Sequence, residues 1–202
     1  MLNNLVINKE FLTKKSGKKG NLKKRIIIGS SFGLDQLLFF KDQIKCGIMT
    51  EIPHFFITLT GEIYQLVDLK DKTNFTKNKM DIDSLSIMLE NVGNLKFDAV
   101  ENVYYDSFGT IYNELDKIVE IPWREYIFWG SYEGIQLDSL EKLCLYLCEL
   151  NKIKPLVVDS NIKTKEIINN KTIICRSNIS KFYLDPNPTF NLNKLKEISN
   201  GL

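Results

Sequence analysis

Short apolar runs alternate along this chain with stretches of helical spacing. Arg25-Ile26-Ile27-Ile28 leads an uninterrupted run, the pattern of a strand buried on both faces. It breaks at Gly29, after which Leu34, Leu37, Leu38 and Ile44 recur at helical spacing and predict a helix over 34–45. His54–Leu59 and Glu62–Val67 flank Thr60-Gly61, which predicts a β-hairpin with Gly61 supplying the positive φ of its turn. Ser86–Asn91 reads as a further strand, stopped by Gly93. Leu137, Leu140, Leu143, Cys144, Leu147 and Cys148 share one face of a helix over 135–151, with Leu150 nearby. Thr172–Cys175 reads as a strand. Asp185-Pro186-Asn187-Pro188 reads as a rigid turn, because each proline fixes its φ. A short helix follows near 192–199. Strands alternate with helices, so the expected class is α/β, with a single mixed central β-sheet flanked by helices.

Two stretches carry no clear period. Residues 1–24 hold Lys9, Lys14, Lys15, Lys18, Lys19, Lys23 and Lys24 with little to bury. They read as a basic N-terminal arm before a domain over 25–202. The arm is either a solvated extension, or a tether to an acidic partner or a strand lent to a neighbour's sheet. Residues 94–130 are rich in aromatic side chains, Trp123 and Trp129 among them, and read as an irregular insertion with a small hairpin excursion near 98–121. Its aromatic residues are expected to line a core, or else to form a docking surface.

Composition narrows the function classes. The chain has 202 residues, 44% hydrophobic and 26% charged, with a net charge of +2, which gives no reason to expect nucleic-acid binding by the whole chain. A salt-sensitive interaction through the basic arm stays a minor alternative. No stretch approaches the roughly 18 consecutive apolar residues of a membrane span. Met1–Phe11 lacks the apolar run of a signal peptide, so the expected place of synthesis is the cytoplasm of the producing cell. The four cysteines, Cys46, Cys144, Cys148 and Cys175, include no Cys-x-x-Cys pair, so a zinc knuckle is not expected.

Gly29-Ser30-Ser31-Phe32-Gly33 between strand and helix has the form of a nucleophile elbow around Ser31. That chemistry needs a histidine well downstream of the serine. The chain has one histidine, His54, and the carboxylates between the two, Asp35, Asp42 and Glu51, all lie close by. A serine-hydrolase triad is therefore not expected, and a multi-histidine metal site is excluded. His54 itself reads as a partly buried hairpin residue.

Four segments, in order, resemble the zinc-dependent N-acetylmuramoyl-L-alanine amidases and the related peptidoglycan recognition domains. They are "HFFITLTGEIYQLVD", "SLSIMLENVG", "YEGIQLDSLEKLCLYLCELNKIKP" and "IICRSNISKFYLDPNPTFN". The resemblance spans about residues 25–197 and implies that family's fold, with residues 94–130 similar to an insertion of some phage-encoded members. It also implies a site. In the family, a zinc held by two His and one Asp or Cys polarises the amide between the muramyl lactyl group and L-alanine and activates water.

Carried over residue by residue, that site is degenerate. The first histidine position falls at Gly29 or Ser30, and the second at Arg176. Asp185 matches the third ligand, Tyr183 stands where a stabilising Lys is usual, and Glu90 matches the catalytic Glu. The substrate-side His position falls near Phe75. A guanidinium holds its proton near neutral pH and repels a metal. Cys175 could serve as a shifted ligand only through a one-residue bulge, because neighbouring strand residues point to opposite faces. The resemblance thus implies loss of zinc and an Arg176–Asp185 ion pair in its place. The expected function is a catalytically inactive amidase-like module, structural or binding, in a phage particle such as its tail or baseplate. Its expected partners are other virion subunits or peptidoglycan fragments, with no membrane. The alternatives are an active wall hydrolase using Glu90, Asp185 and Cys175, and a peptidoglycan receptor without catalysis.

Overall fold

The computed structural model describes residues 5–13, 21–47, 51–163 and 165–200. The elements follow in chain order. Strand β1 is Ile7–Asn8, β2 is Arg25–Ser30, and helix α1 is Gln36–Lys45. Strands β3 (Phe55–Ile57), β4 (Ile63–Gln65) and β5 (Ser84–Leu89) come next. Five more strands are β6 (Asn94–Asp98), β7 (Val103–Tyr105), β8 (Ile111–Tyr112), β9 (Ile118–Trp123) and β10 (Tyr126–Gly130). The rest are α2 (Gly134–Asn151), α3 (Lys165–Asn170), β11 (Ile173–Cys175), α4 (Arg176–Ile179) and α5 (Leu192–Asn200). Among the described residues no helix is long and apolar enough to cross a membrane.

The main sheet has the strand order β1-β4-β3-β5-β2-β11 and is mixed as expected: β3 and β4 run antiparallel, the other pairs parallel. β2 lies between β5 and β11, so both its edges are paired, and Ile26, Ile27 and Ile28, which alternate between its two faces, are all fully buried, so both faces are covered. That is why the run shows no alternation. The hairpin turn has Gly61 at φ +81°, as its position required. Helix α2 buries Leu140, Leu143, Cys144, Leu147 and Cys148, leaves Leu137 half-buried and exposes Leu150. It ends at Lys152 in the left-handed conformation.

Two expectations need correction. The described part of the N-terminal stretch is not a free arm, and its strand is not lent to a neighbour. β1 extends this chain's own sheet along β4, the Phe11 ring stacks on Tyr64 at 5.6 Å, and Lys23 is buried with Nζ donating to the Asp71 carbonyl at 2.8 Å. Lys14, Lys15, Lys18 and Lys19 lie outside the described residues. Nor is 94–130 irregular: it holds a five-stranded antiparallel sheet of order β8-β7-β6-β10-β9. Cross-strand aromatic pairs hold it, with Phe97 facing Tyr104 at 4.9 Å and Tyr104 meeting Phe128 at 5.2 Å. Its own small core is Val92, Leu95 and Tyr112. The strands are two to six residues long, and turns at Asn102, Gly109 and Arg124 take positive φ. Segments that short show no stable period in the sequence.

The two sheets meet at Asn91 and Asn187. Asn91 Nδ2 donates to the carbonyls of Gly130 and Ser131, and its Oδ1 accepts from Gly93 N–H and from Asn187 Nδ2. Both residues are buried, so these bonds position the end of β10 and the Asp185-Pro186-Asn187 turn against the top of β5.

Candidate functional site

The site forms where β2 ends, beside the start of α4 and the turn at Asp185. Parallel pairing sets Gly29 opposite Met88, and Cys175 opposite Ile28, so Arg176 follows one step on, beside Gly29. Arg176 begins α4 and is 5% exposed; Asp185 is fully buried. Arg176 Nη1 lies 3.2 Å from Asp185 Oδ2, the ion pair expected from the sequence. The same carboxylate oxygen accepts the Ser30 N–H at 3.0 Å. The guanidinium sits 4.6 Å from the Phe75 ring centre and 4.2 Å from that of Tyr183, so two aromatic faces add cation–π attraction. The Tyr183 hydroxyl donates to the Thr76 carbonyl and fixes its ring.

Burial pushes the Asp185 carboxyl above the usual carboxylate range, against the pull of Arg176 and of Ser30 N–H. Among the described residues its Oδ1, like Arg176 Nε, is buried without a hydrogen-bond partner. Behind the pair, the Tyr132 hydroxyl donates to Ser30 Oγ at 3.0 Å and accepts Asn187 N–H at 3.2 Å, and burial raises its pKa.

Gly29 is the tightest point. A Cβ there would stand 2.4 Å from Asp185 Oδ2, 2.6 Å from Arg176 Cδ and 2.7 Å from Phe75 Cζ. The space that a side chain at this position would need is therefore filled by the ion pair and the ring beneath it. Gly29→Ala is expected to cost about 1–3 kcal/mol, the usual range for overpacking a buried site. Urea denaturation measures it, and an unchanged midpoint would contradict this packing.

The other expected positions divide. Glu90 follows β5 and its Oε2 accepts the Leu59 N–H at 3.2 Å; among the described residues no hydrogen bond or ion pair joins it to Arg176 or Asp185. Burial pushes its carboxyl up, partly offset by that N–H. Ser31 Oγ accepts Asn91 N–H at 3.0 Å and lies within bonding distance of the Gly33 and Asn91 carbonyls, so the hydroxyl staples the loop after β2 to the end of β5. His54 is fully buried, not partly as expected, and is engaged elsewhere with Ser86 and Asp71, so it serves neither Ser31 nor a metal. Cys175 pairs with Ile28, whose side chain leaves the sheet on the face opposite Gly29, and no bulge shifts it. Burial raises its thiol pKa far up.

A zinc ion of the kind the resemblance implies does not fit these residues. Gly29 and Arg176 offer no donor, a guanidinium lies within bonding distance of the one remaining ligand, and Gly29 has no room for an imidazole. Among the described residues no three His, Cys, Asp or Glu side chains gather as a metal group. Sequence reasoning missed Phe75 as a ring under Arg176, and it gave Tyr132, Asn91 and Asn187 no role in the site. All three stand in segments that carry the resemblance, which was the signal that could have found them.

A cleft of about 310 Å³ adjoins the pair. Arg176 lines it with Met88, Glu51, Gln36, Gln43 and several phenylalanines; Asp185 does not reach it.

The fold and this site define a chain of the N-acetylmuramoyl-L-alanine amidase class. The model of that family matches residues 30–174, well over half of the chain, and the protein belongs to the family. The match begins one residue after Gly29 and ends before Arg176 and Asp185. Comparison with curated protein sequences finds no significant match. Solved structures are similar throughout. The endolysin N-acetylmuramoyl-L-alanine amidase LysCS from Clostridium intestinale URNW is 13% identical, with 96% of this chain and 95% of that one covered and a TM-score of 0.59. AmiD from E. coli, solved with its substrate anhydro-N-acetylmuramic acid-L-Ala-D-gamma-Glu-L-Lys, is 15% identical over 92% of this chain and 60% of that one, with a TM-score of 0.55. The Drosophila peptidoglycan recognition protein SD is 12% identical over 91% and 89%, with a TM-score of 0.51. At such identities the likeness is one of fold.

Proposed function

We propose that this chain is an amidase-fold module that does not hydrolyse its ligand, a binding or structural unit with a peptidoglycan fragment as its ligand class. The observation that carries this reading is the Arg176–Asp185 pair, packed with the Phe75 ring against the Cβ-less Gly29, at the positions that the resemblance matches to the family's zinc ligands. Without a Lewis acid at that point, nothing in the site supplies the metal-bound water that the family's hydrolysis uses. Glu90, hydrogen-bonded to Leu59, is the only family catalytic position kept besides Asp185, and neither replaces an electrophile.

Metal analysis after incubation with zinc and repurification, paired with turbidity of a wall suspension, tests the reading. Substoichiometric zinc and unchanged turbidity are expected. Stoichiometric zinc with lysis would overturn it in favour of an active hydrolase.

The setting we propose is a phage particle, with the chain made in the host cytoplasm and held by other virion subunits. The support is the phage endolysin from Thermus scotoductus bacteriophage Ph2119 among the similar structures, at 11% identity and a TM-score of 0.52. Absence of the chain from purified particles would remove that setting and leave the module.

A further inference from the structure

We propose that two copies of this chain dock through the second sheet, each placing its acidic β6–β7 turn in a basic, aromatic cleft of the other. The proposal goes beyond the reading above and does not depend on it. The cleft lies between the tip of the β9–β10 hairpin and the segment after α4. It measures about 450 Å³ and is lined by Arg124, Glu125, Tyr126, Lys181, Phe182 and Leu184.

This lining has the make-up of an interface centre. Its arginine is fixed in place: Arg124 takes φ +57°, its guanidinium lies 4.3 Å from the Trp123 ring centre, and its Nη1 donates to the carbonyls of Lys181 and Tyr183. Little side-chain entropy remains to be lost there on docking. Phe182 is 81% exposed, and the Lys181 Nζ lies 5.4 Å from its ring centre. Aromatic rings beside a held arginine are the side chains that dominate docking energies.

Charge selects the occupant. Arg124 and Lys181 outnumber Glu125 in the lining, so the cleft suits an acidic segment. The chain itself carries one, Asp98-Ala99-Val100-Glu101-Asn102, at the β6–β7 turn. Val100 is 95% exposed, an apolar knob between two carboxylates. Lys96, the nearest cation along β6, offsets only one of them. The turn is preformed, because Asp98 Oδ1 accepts the N–H groups of Val100 and Glu101 at 2.8 and 3.1 Å.

Topology makes the exchange reciprocal. β10 runs antiparallel to both β6 and β9, and Phe128 pairs with Leu95 on one side and Glu120 on the other. Asp98 and Trp123 each lie three residues further on. Turn and hairpin tip therefore sit at the same end of the sheet, on opposite sides of β10. A two-fold axis beyond that end sets each turn against the other copy's cleft, so the same contact is made twice.

Sedimentation velocity over a concentration series tests this. A salt-sensitive dimer with a Kd of about 10–300 μM is expected, in keeping with a small, charged interface. Lys181→Glu and Glu101→Lys, both at exposed residues, are each expected to weaken it at least about tenfold. Mixed in equal amounts, the two variants are expected to dimerise again, because every cleft then meets a turn of opposite sign. Phe182→Ala is expected to weaken the dimer about three- to tenfold.

A chain that stays monomeric up to about 1 mM would overturn self-docking. So would a dimer that neither charge reversal weakens, or a mixture of the two variants that stays monomeric. Occupation of the Phe182 surface by an acidic segment of a different protein, with no second copy bound, would overturn it equally.

Discussion

Arg176→Ala is expected to destabilise the protein by about 3–5 kcal/mol at neutral pH, whereas R176M/D185N is expected to cost little. The reason is the asymmetry of a buried pair. Removing the guanidinium strands Asp185, fully buried, with the Ser30 N–H as its charged-state partner. Removing both charges strands neither. Methionine has the length to fill the slot between the Phe75 and Tyr183 rings. Asparagine at 185 keeps an oxygen for Ser30 N–H.

The pH dependence of the single variant provides a second check. With Arg176 gone, the Asp185 carboxyl, already pushed up by burial, rises further. A carboxyl raised in the folded state contributes most below its unfolded pKa and loses that contribution as pH rises through its folded value. The deficit of Arg176→Ala should therefore shrink from pH 7 toward pH 4. Urea denaturation of the three proteins at both pH values measures this. A single variant within about 1 kcal/mol of wild type at pH 7 would show that the pair is not the closed, dry contact described.

His54 is expected to make the protein acid-labile. Ser86 N–H donates to Nδ1 at 3.1 Å, so that nitrogen carries no proton, and Nε2–H donates to the Asp71 carbonyl at 3.1 Å. The ring is thus held as one neutral tautomer with both nitrogens used. Burial first, and the nearby Lys23 ammonium second, push its pKa down to about 3, against an ordinary 6.5. A histidine depressed in the folded state contributes full stability above about pH 6.5 and loses it as pH falls toward its folded value, at about 1.4 kcal/mol per pH unit. As the only histidine, its ring resonances are unambiguous in an NMR titration. They should hold still down to about pH 4, or to acid unfolding if that comes first. A midpoint near 6.5 would mean the ring is hydrated.

Lys23, bonded to the same Asp71 carbonyl, shows why the sequence misled about the N-terminal stretch. Charge density marked it as solvated, and burial lowers its pKa to about 8, but it is aimed inward at a carbonyl that only the folded chain brings near. Period and composition carry no such information. The five-stranded sheet over 94–130 escaped for a related reason: its strands are too short for alternation to rise above noise, and long-range pairing between β6 and β10 holds it. The core strands and α2, by contrast, were legible, because burial on one or both faces imposes its spacing directly on the chain.

The candidate site was half legible. Matching motifs placed Gly29, Arg176, Tyr183 and Asp185 at one point, and the chemistry of a guanidinium beside a carboxylate sufficed to expect their pairing. The sequence by itself thus determined the mixed α/β core, the lone histidine, and the loss of two imidazoles where two were expected. Only the tertiary structure decided that the loss is filled. Packing brings Phe75, a hundred residues from its partner, under the guanidinium. It closes the space above Gly29 and leaves the cation, not the carboxylate, facing the cleft. Such contacts depend on side-chain volume across the fold, which no local pattern of residues encodes.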